Sequence, residues 1–310
     1  MKPVPCNYCG ADDAALINHG PDLLLNRPGD YRLVRCRACG LIYQNPRLTL
    51  EELPEHYPAD YDPYREDIRA ERSVTRRVDA NYGLQRRCRQ FMKFAPRPGA
   101  LLDVGCATGL FLNAMRDHGW RVRGVELSPY AAAYARETFN LEVTVGTLEA
   151  AQFPDAHFDA VSLWDVLEHV IDPKAALAEI RRILRPGGML ALSLPNPVAW
   201  EARLFGGGWV GWDRPRHLHL FTPAVLRRYL EDAGFVNAQF ESLGGRLGLT
   251  LLSAEMLLTS RGASPEKWAP RLKLLYNWPL RVLTWPLYWL AERLNRANIM
   301  NVYAYKPPAG

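Results

Sequence analysis

The sequence predicts a doubly wound α/β domain built on a seven-stranded, mostly parallel sheet, with a small cysteine-rich module ahead of it. Three observations carry that prediction. From residue 100 onward, apolar runs end in short polar loops and give way to helical periodicity, again and again. The first run opens directly into a glycine-bearing loop, Asp103-Val104-Gly105-Cys106-Ala107-Thr108-Gly109. Near the N-terminus, Cys6-Asn7-Tyr8-Cys9-Gly10 and Cys36-Arg37-Ala38-Cys39-Gly40 repeat one device.

The chain has 310 residues, 48% apolar and 23% charged, enough for one large domain and a smaller module. A net charge of +5 permits an anionic partner without demanding one. The first residues hold no apolar run of the signal-peptide kind. Four of the six cysteines fall in the two pairs and leave Cys88 and Cys106 isolated, so reduced thiols and a cytoplasmic setting are expected.

In the N-terminal module, predicted over residues 1–45, each pair can turn two sulfurs onto one metal, and the glycine that follows permits a tight backbone turn. Cys6, Cys9, Cys36 and Cys39 together suit a closed tetrahedral zinc site, structural rather than catalytic; two redox pairs or a disulfide-bonded loop are the plainer alternatives. Short strands are expected at 33–34 and 41–43. So small a module draws much of its folding energy from metal, which leads to the expectation that chelation melts residues 1–45 alone.

Residues 46–95 read as a linker and a basic helical segment. A Pro- and Tyr-rich stretch to residue 64 precedes a helix over 65–94 carrying Arg65, Arg69, Arg72, Arg76, Arg77, Arg86, Arg87, Arg89 and Lys93. A solvated face explains this pattern better than nucleic-acid binding. The main domain spans 96–310. Its strands are expected at 101–104, 122–126, 142–145, 160–164, 189–194, 235–242 and 302–306, and its helices near 110–117, 130–138, 174–184 and 223–233. Two insertions interrupt it, at 196–221 and 244–300. Alternation at this spacing implies a mostly parallel sheet whose ligands lie beyond the strands' carboxyl ends.

Gly105 and Gly109 let the backbone pass close beneath a ligand where strand turns into helix. Glu126, seventeen residues after Gly109, ends the second strand, where a carboxylate can accept both hydroxyls of a ribose. The spacing is neither the Gly-x-Gly-x-x-Gly of dinucleotide enzymes nor a Gly-Lys-Ser/Thr triphosphate loop. What remains is a nucleoside with a polar, non-phosphate tail.

With Asp103-x-Gly105-x-x-x-Gly109, Glu126, Trp164-Asp165-Val166-Leu167-Glu168-His169 and Leu184-Arg185-Pro186-Gly187-Gly188, the chain resembles class I S-adenosylmethionine-dependent methyltransferases over roughly residues 95–243. The resemblance implies a Rossmann-like sheet with an antiparallel seventh strand and S-adenosyl-L-methionine as cofactor. It implies that Asp103 and the loop from Gly105 through Cys106 to Gly109 hold the methionine portion, with Asp165 near its amine. Glu126 would hold the ribose, Leu127 would pack on the adenine, and the 146–149 turn with Thr147 and Leu148 would lie beside it; many members carry an aspartate in that turn.

Methyl transfer is an in-line displacement, so alignment matters most, and a hydroxyl acceptor also wants a base of near-neutral pKa. His169 and His217 are the candidates, with His219 behind them; His217 and His219, two apart, should point oppositely in extended chain. Each has the plainer reading of a hydrogen-bonded structural group. Asp165, Glu168 and His169 also resemble the metal-binding acid-x-x-Glu-His stretch of ubiquinone-pathway O-methyltransferases, with a catalytic divalent ion as the minor reading.

The second insertion holds Trp268, Trp278, Trp285 and Trp289, and Arg281 is the sole charge from 274 to 291. Pro279 and Pro286 interrupt that stretch, which argues against a span. A helical cap packing its aromatics onto the domain is the plain expectation. The sharper one is a lid that grips an apolar or lipid-linked acceptor, or a peripheral membrane contact through 274–291. Trp200, Trp209 and Trp212, beside Gly206-Gly207-Gly208, are expected to form an acceptor wall. The reading that unites these features is methylation, O-methylation by default, of a sugar, glycolipid, polyketide or quinone-like compound. An RNA base methyltransferase and a non-catalytic cofactor-binding scaffold are the alternatives.

Overall fold

A computed structural model describes residues 1–49, 51–57, 74–242 and 247–309. At its N-terminus β1 (Ala14–Asp22), β2 (Arg27–Cys36) and β3 (Ile42–Gln44) form an antiparallel sheet. The basic helix is α1 (Val74–Phe94); Arg65, Arg69 and Arg72, expected within it, lie outside the described residues. The main domain then alternates β4 (Ala100–Val104), α2 (Leu110–Asp117), β5 (Arg121–Glu126), α3 (Pro129–Phe139), β6 (Glu142–Val145), β7 (Phe158–Trp164), α4 (Pro173–Ile183) and β8 (Leu184–Pro195). The first insertion contains α5 (Trp200–Phe205) and β9 (His219–Leu220), and α6 (Pro223–Asp232) leads to β10 (Val236–Ser242). The second contributes α7 (Leu247–Ser260), α8 (Pro265–Leu274) and α9 (Trp278–Arg293) before β11 (Ile299–Tyr305) closes the sheet. The expected start of that insertion, residue 244, lies outside the described residues.

The large sheet has seven strands in the order β10-β11-β8-β7-β4-β5-β6, with β11 antiparallel to both neighbours and the strands from β8 to β6 parallel. It is the expected Rossmann-like architecture. The central β4 is buried along its whole length, as a strand covered on both faces must be. Alternate residues feed opposite cores: Leu102 and Val104 pack with Leu177, Ile180 and Leu226, whereas Leu101 packs with Phe91, Phe111 and Met115. Helix starts are fixed locally. Ser128, Asp172 and Thr222 each accept a backbone N–H at the helix they cap, and each is followed by proline at the first helical position.

The N-terminal module is joined to this domain rather than hung from it. β9, from the first insertion, pairs antiparallel with β3 (Ile42↔Leu220, Tyr43↔His219) and becomes the fourth strand of the β1-β2-β3-β9 sheet. Cys6, Cys36, Cys39, Leu41 and Tyr43 share one buried core with Phe221, Val225 and Tyr229. The expectation that residues 1–45 would melt alone assumed a free-standing ribbon, and this shared strand and core remove its basis. The tryptophan wall also differs. Trp209 is 1% exposed, donates its Nε1–H to Asn298 Oδ1 at 2.7 Å, and packs with Leu33, Ile42 and Phe205. It is core of the insertion, away from the cleft.

Candidate active site

The carboxyl ends of β4, β5, β7 and β8 open onto one cavity of about 2000 Å³, roofed by α1 and by α7 to α9. Glycine makes its floor possible. Gly105 (φ 71°) and Gly109 (φ 80°) lie in the left-handed region, and a Cβ on Gly105 would fall 2.5 Å from Val166 Cγ2. Ala107 (φ 47°) shares that region without being glycine. The Glu126 carboxylate holds the turn: Oε2 accepts from Ala107 N and Oε1 from Ser128 N, both at 2.8 Å. Burial raises the pKa of Glu126.

Beneath the loop, Asp103 is 2% exposed and accepts a 2.6 Å hydrogen bond from Ser162 Oγ. Burial pushes its carboxyl up to about 7. Asp165 (φ 58°) faces the same space, accepts from Ser193 Oγ at 3.1 Å and lies 3.8 Å from Arg87 Nη2. Arg87 also stacks over Trp164, 4.8 Å from the ring. Sequence reasoning assigned Arg87 to a solvated basic face; its position on the inward side of α1 was legible only from helical spacing once the packing face was known.

Leu127 borders the cavity and is 66% exposed. Thr147 lies beside it, with Oγ1 accepting from Ala150 N at 3.2 Å. Two expected residues contribute differently. Leu148 and Cys106 border the cavity, but both are buried, Leu148 in one core and Cys106 in the other.

Opposite the glycine loop, Glu168, His169 and His217 bring one ligand atom each within 4.8 Å of the others. His169 Nδ1 is 3.0 Å from the Arg216 carbonyl and 3.0 Å from the Tyr57 hydroxyl. His217 Nδ1 is 2.9 Å from the Gly211 carbonyl. A carbonyl oxygen only accepts, so both Nδ1 atoms carry the proton and both Nε2 atoms are left basic. Burial lowers both rings, His169 to about 3, so they stay neutral at physiological pH. Glu168 is fully buried, with neither carboxylate oxygen hydrogen-bonded among the described residues, and burial raises it well above the usual range. His219 sits on β9, buried and outside the cavity lining, so the two histidines do diverge as alternation requires.

At the N-terminal module, Cys6 Sγ is 3.4 Å from Cys39 Sγ and Cys9 Sγ is 3.5 Å from Cys36 Sγ, too far apart for disulfide bonds. All four sulfurs lie within 4.8 Å of one another, close to the spacing of about 3.8 Å that a tetrahedral zinc–sulfur site requires. Gly10 (φ 76°) and Gly40 (φ 83°) close the knuckles by donating to the Cys6 and Cys36 carbonyls.

Comparison with known proteins agrees with this geometry. Residues 76–239 match the family described as a methyltransferase domain. The chain is similar to a ubiquinone biosynthesis O-methyltransferase of Xanthomonas oryzae pv. oryzae, 33% identical over 159 residues, 47% of this chain and 65% of the relative. It is also similar to a probable S-adenosylmethionine-dependent methyltransferase of Mycolicibacterium smegmatis, 29% identical over 174 residues, 54% of this chain and 65% of the relative. The match thus spans just under two thirds of these relatives. Among solved structures, a putative sarcosine dimethylglycine methyltransferase from Galdieria sulphuraria aligns with TM-score 0.51 and 16% identity over 79% of this chain and 91% of that one. The 4+2 cyclase SpnF aligns with TM-score 0.50 and 23% identity over 72% of this chain and 81% of its own. These two likenesses establish the fold alone.

Proposed function

The chain belongs to the class I S-adenosylmethionine-dependent methyltransferase family, and from that premise we propose that it O-methylates an apolar or lipid-linked small molecule. The observation that carries this reading is one continuous cavity with the glycine loop and Glu126 at one end, two neutral histidines on its wall, and a helical roof in which Leu249, Leu251, Leu252, Trp285 and Trp289 form an apolar stretch among charged side chains. At about 2000 Å³ it exceeds the roughly 300–1,000 Å³ of ordinary ligand pockets and leaves room for a bulky acceptor beside the cofactor. That cofactor is S-adenosyl-L-methionine, the one expected of the family.

In this reading Glu126 takes the ribose diol and Leu127 the adenine, with Thr147 and Leu148 at its edge. Gly105, Cys106 and Gly109 supply close backbone. Asp103 and Asp165 face the methionine amine, and Arg87 its carboxylate. Of the two histidines, His217 removes the acceptor's hydroxyl proton through its free Nε2 as the methyl passes from sulfur to oxygen, and His169, lowered to about 3, is the weaker base beside it. The four cysteines hold a structural zinc ion.

A second reading of the histidines has its own observation. Glu168 lacks hydrogen-bond partners among the described residues, and both Nδ1–H groups rest on backbone carbonyls, the arrangement that orients imidazoles toward a metal. A divalent ion held by Glu168, His169 and His217 would lower the pKa of an acceptor hydroxyl. The RNA reading loses support in α1, where Arg86 forms a two-pronged pair with Glu292 of α9 and Arg87 turns into the cavity.

The test is methyl transfer from labelled cofactor to a panel of prenylated phenols, polyketides, lipid-linked sugars and ribosomal RNA. His217→Ala should lower turnover about 10²- to 10⁴-fold and His169→Ala less, both leaving cofactor affinity near wild type, and a variant with unchanged turnover removes its residue from the role. Chelator-sensitive turnover that a divalent transition ion such as manganese restores, and that Glu168→Gln loses, selects the metal reading. Cofactor binding with no turnover on any acceptor class would leave the scaffold reading standing instead.

A further inference from the structure

α9 is built the wrong way round for a helix that merely covers a core. Its buried residues are Tyr288 and Ala291, whereas Trp278, Val282, Leu283, Trp285, Leu287, Trp289, Leu290 and Leu294 stand exposed. Val282 and Leu283 are 70% and 76% exposed, and Leu274 at the end of α8 is 78% exposed. The expected packing of these aromatics onto the domain is therefore not what the structure shows. A contiguous apolar face of this kind on a water-borne protein marks a place where something docks.

Charge identifies the occupant. Residues 265–296 carry Lys267, Arg271, Lys273, Arg281, Arg293 and Arg296 against Glu266 and Glu292, a net +4 out of +5 for the whole chain. Three of these cations rest on tryptophans: Arg271 on Trp268, Arg281 on Trp278 and Arg293 on Trp289. Tryptophan beside arginine, with leucines projecting beyond, is the composition of a segment lying in a membrane interface. No helix among the described residues is long and apolar enough to cross a bilayer, so the contact is peripheral. The same helix reaches inward: Trp285, Tyr288 and Trp289 line the large cavity with Leu249 and Leu252 of α7.

We propose that the α8–α9 face docks on an anionic lipid bilayer, with Leu274, Leu283, Leu287, Leu290 and Leu294 in the headgroup boundary and Arg271 and Arg293 on lipid phosphates, while Arg281, held by Asp79, stays on the cavity side. The cavity then opens along the same helix that touches the membrane, and an apolar acceptor can enter without crossing water. Docking itself is independent of the methyl-transfer reading, because it is measured without turnover.

The test is co-sedimentation of the full chain with vesicles of mixed phosphatidylglycerol and phosphatidylcholine, and with pure phosphatidylcholine, at low and high salt. The expected result is binding to the anionic vesicles that weakens with salt. A Leu274→Asp, Leu283→Asp variant, altered at two outward positions, should lose about tenfold or more in vesicle partitioning while calorimetry shows unchanged cofactor binding. Absence of vesicle binding, or equal binding by the variant, overturns the proposal. So does a dimer in sedimentation velocity that the variant dissociates, since the face would then belong to a second copy of the chain.

Discussion

Asp22 and Arg216, 194 residues apart, close a two-pronged ion pair in which both side chains are completely buried, with Nη1 2.7 Å from Oδ2 and Nη2 2.8 Å from Oδ1. Asp22 ends β1 of the N-terminal module; Arg216 precedes His217 in the first insertion. Arg216 also binds Asp213, whose Oδ2 lies 3.9 Å from His217 Nε2, and the Arg216 carbonyl anchors His169. The cysteine module thus reaches the histidines through one guanidinium. Asp22→Ala leaves the buried Arg216 guanidinium with Asp213 but removes its two-pronged partner, so it should cost less than the full loss of a buried pair, up to about 3 kcal/mol, and Asp22→Asn less still, because it keeps an acceptor. Urea denaturation reads the stability. Turnover should fall more than cofactor affinity in the Asn variant, since the network touches the histidines and not the glycine loop.

Metal removal should act on the same connection. With β9 paired to β3, and Cys6, Cys36 and Cys39 packed against α6, loss of the proposed zinc should not stay confined to residues 1–45. Hydrogen exchange after chelation is expected to rise in residues 210–222 as well, and the thermal transition should shift as a whole. Exchange that rises in the module alone would restore the free-standing ribbon.

The glycine loop and the central strands β4, β7 and β8 were legible from local rules, since left-handed turns need glycine and central parallel strands need apolar runs. Glu126 and β5, β6, β10 and β11 followed instead from their spacing in the strand-helix alternation. β1 and β9 were not legible. β1 mixes half-buried and exposed residues without clean alternation, and β9 is two residues long, made a strand only by its partner β3. Arg87 hid in a helix basic on every side, and helical spacing does not say which side meets a cavity. The tryptophans of α9 were left between a packed cap and a lid or membrane contact for the converse reason. Composition shows that a segment is apolar, and only the tertiary structure shows whether that face is covered.

Gly105→Ala tests how tightly the loop is held. The new Cβ meets Val166 Cγ2 at 2.5 Å, and φ of 71° is strained for any side chain, so a loss of about 1–3 kcal/mol is expected. Cofactor affinity should fall about tenfold or more. Adding Val166→Ala relieves the clash but not the dihedral, and should recover part of the stability measured by urea unfolding.

With the proposed cofactor amine beside Asp103, cofactor binding should depend on pH. Burial is the main cause of the carboxyl's rise to about 7, above the unfolded value of 3.8, with Ser162 and Arg87 opposing. The sign follows directly. Between those values the folded apoprotein holds a proton that the unfolded chain has released, so this group's contribution to apoprotein stability is lost as pH rises toward 7. A cationic ligand beside the carboxyl favours the ionised form, so binding expels the proton. Affinity should therefore climb between pH 5 and 7 by up to about tenfold per unit, then level off above 7. Calorimetry at pH 6 in two buffers of different ionisation enthalpy should register close to one proton released, and Asp103→Asn should abolish both the release and the slope. Proton uptake, or a slope that survives in Asp103→Asn, would show that the charge next to the cofactor is carried elsewhere.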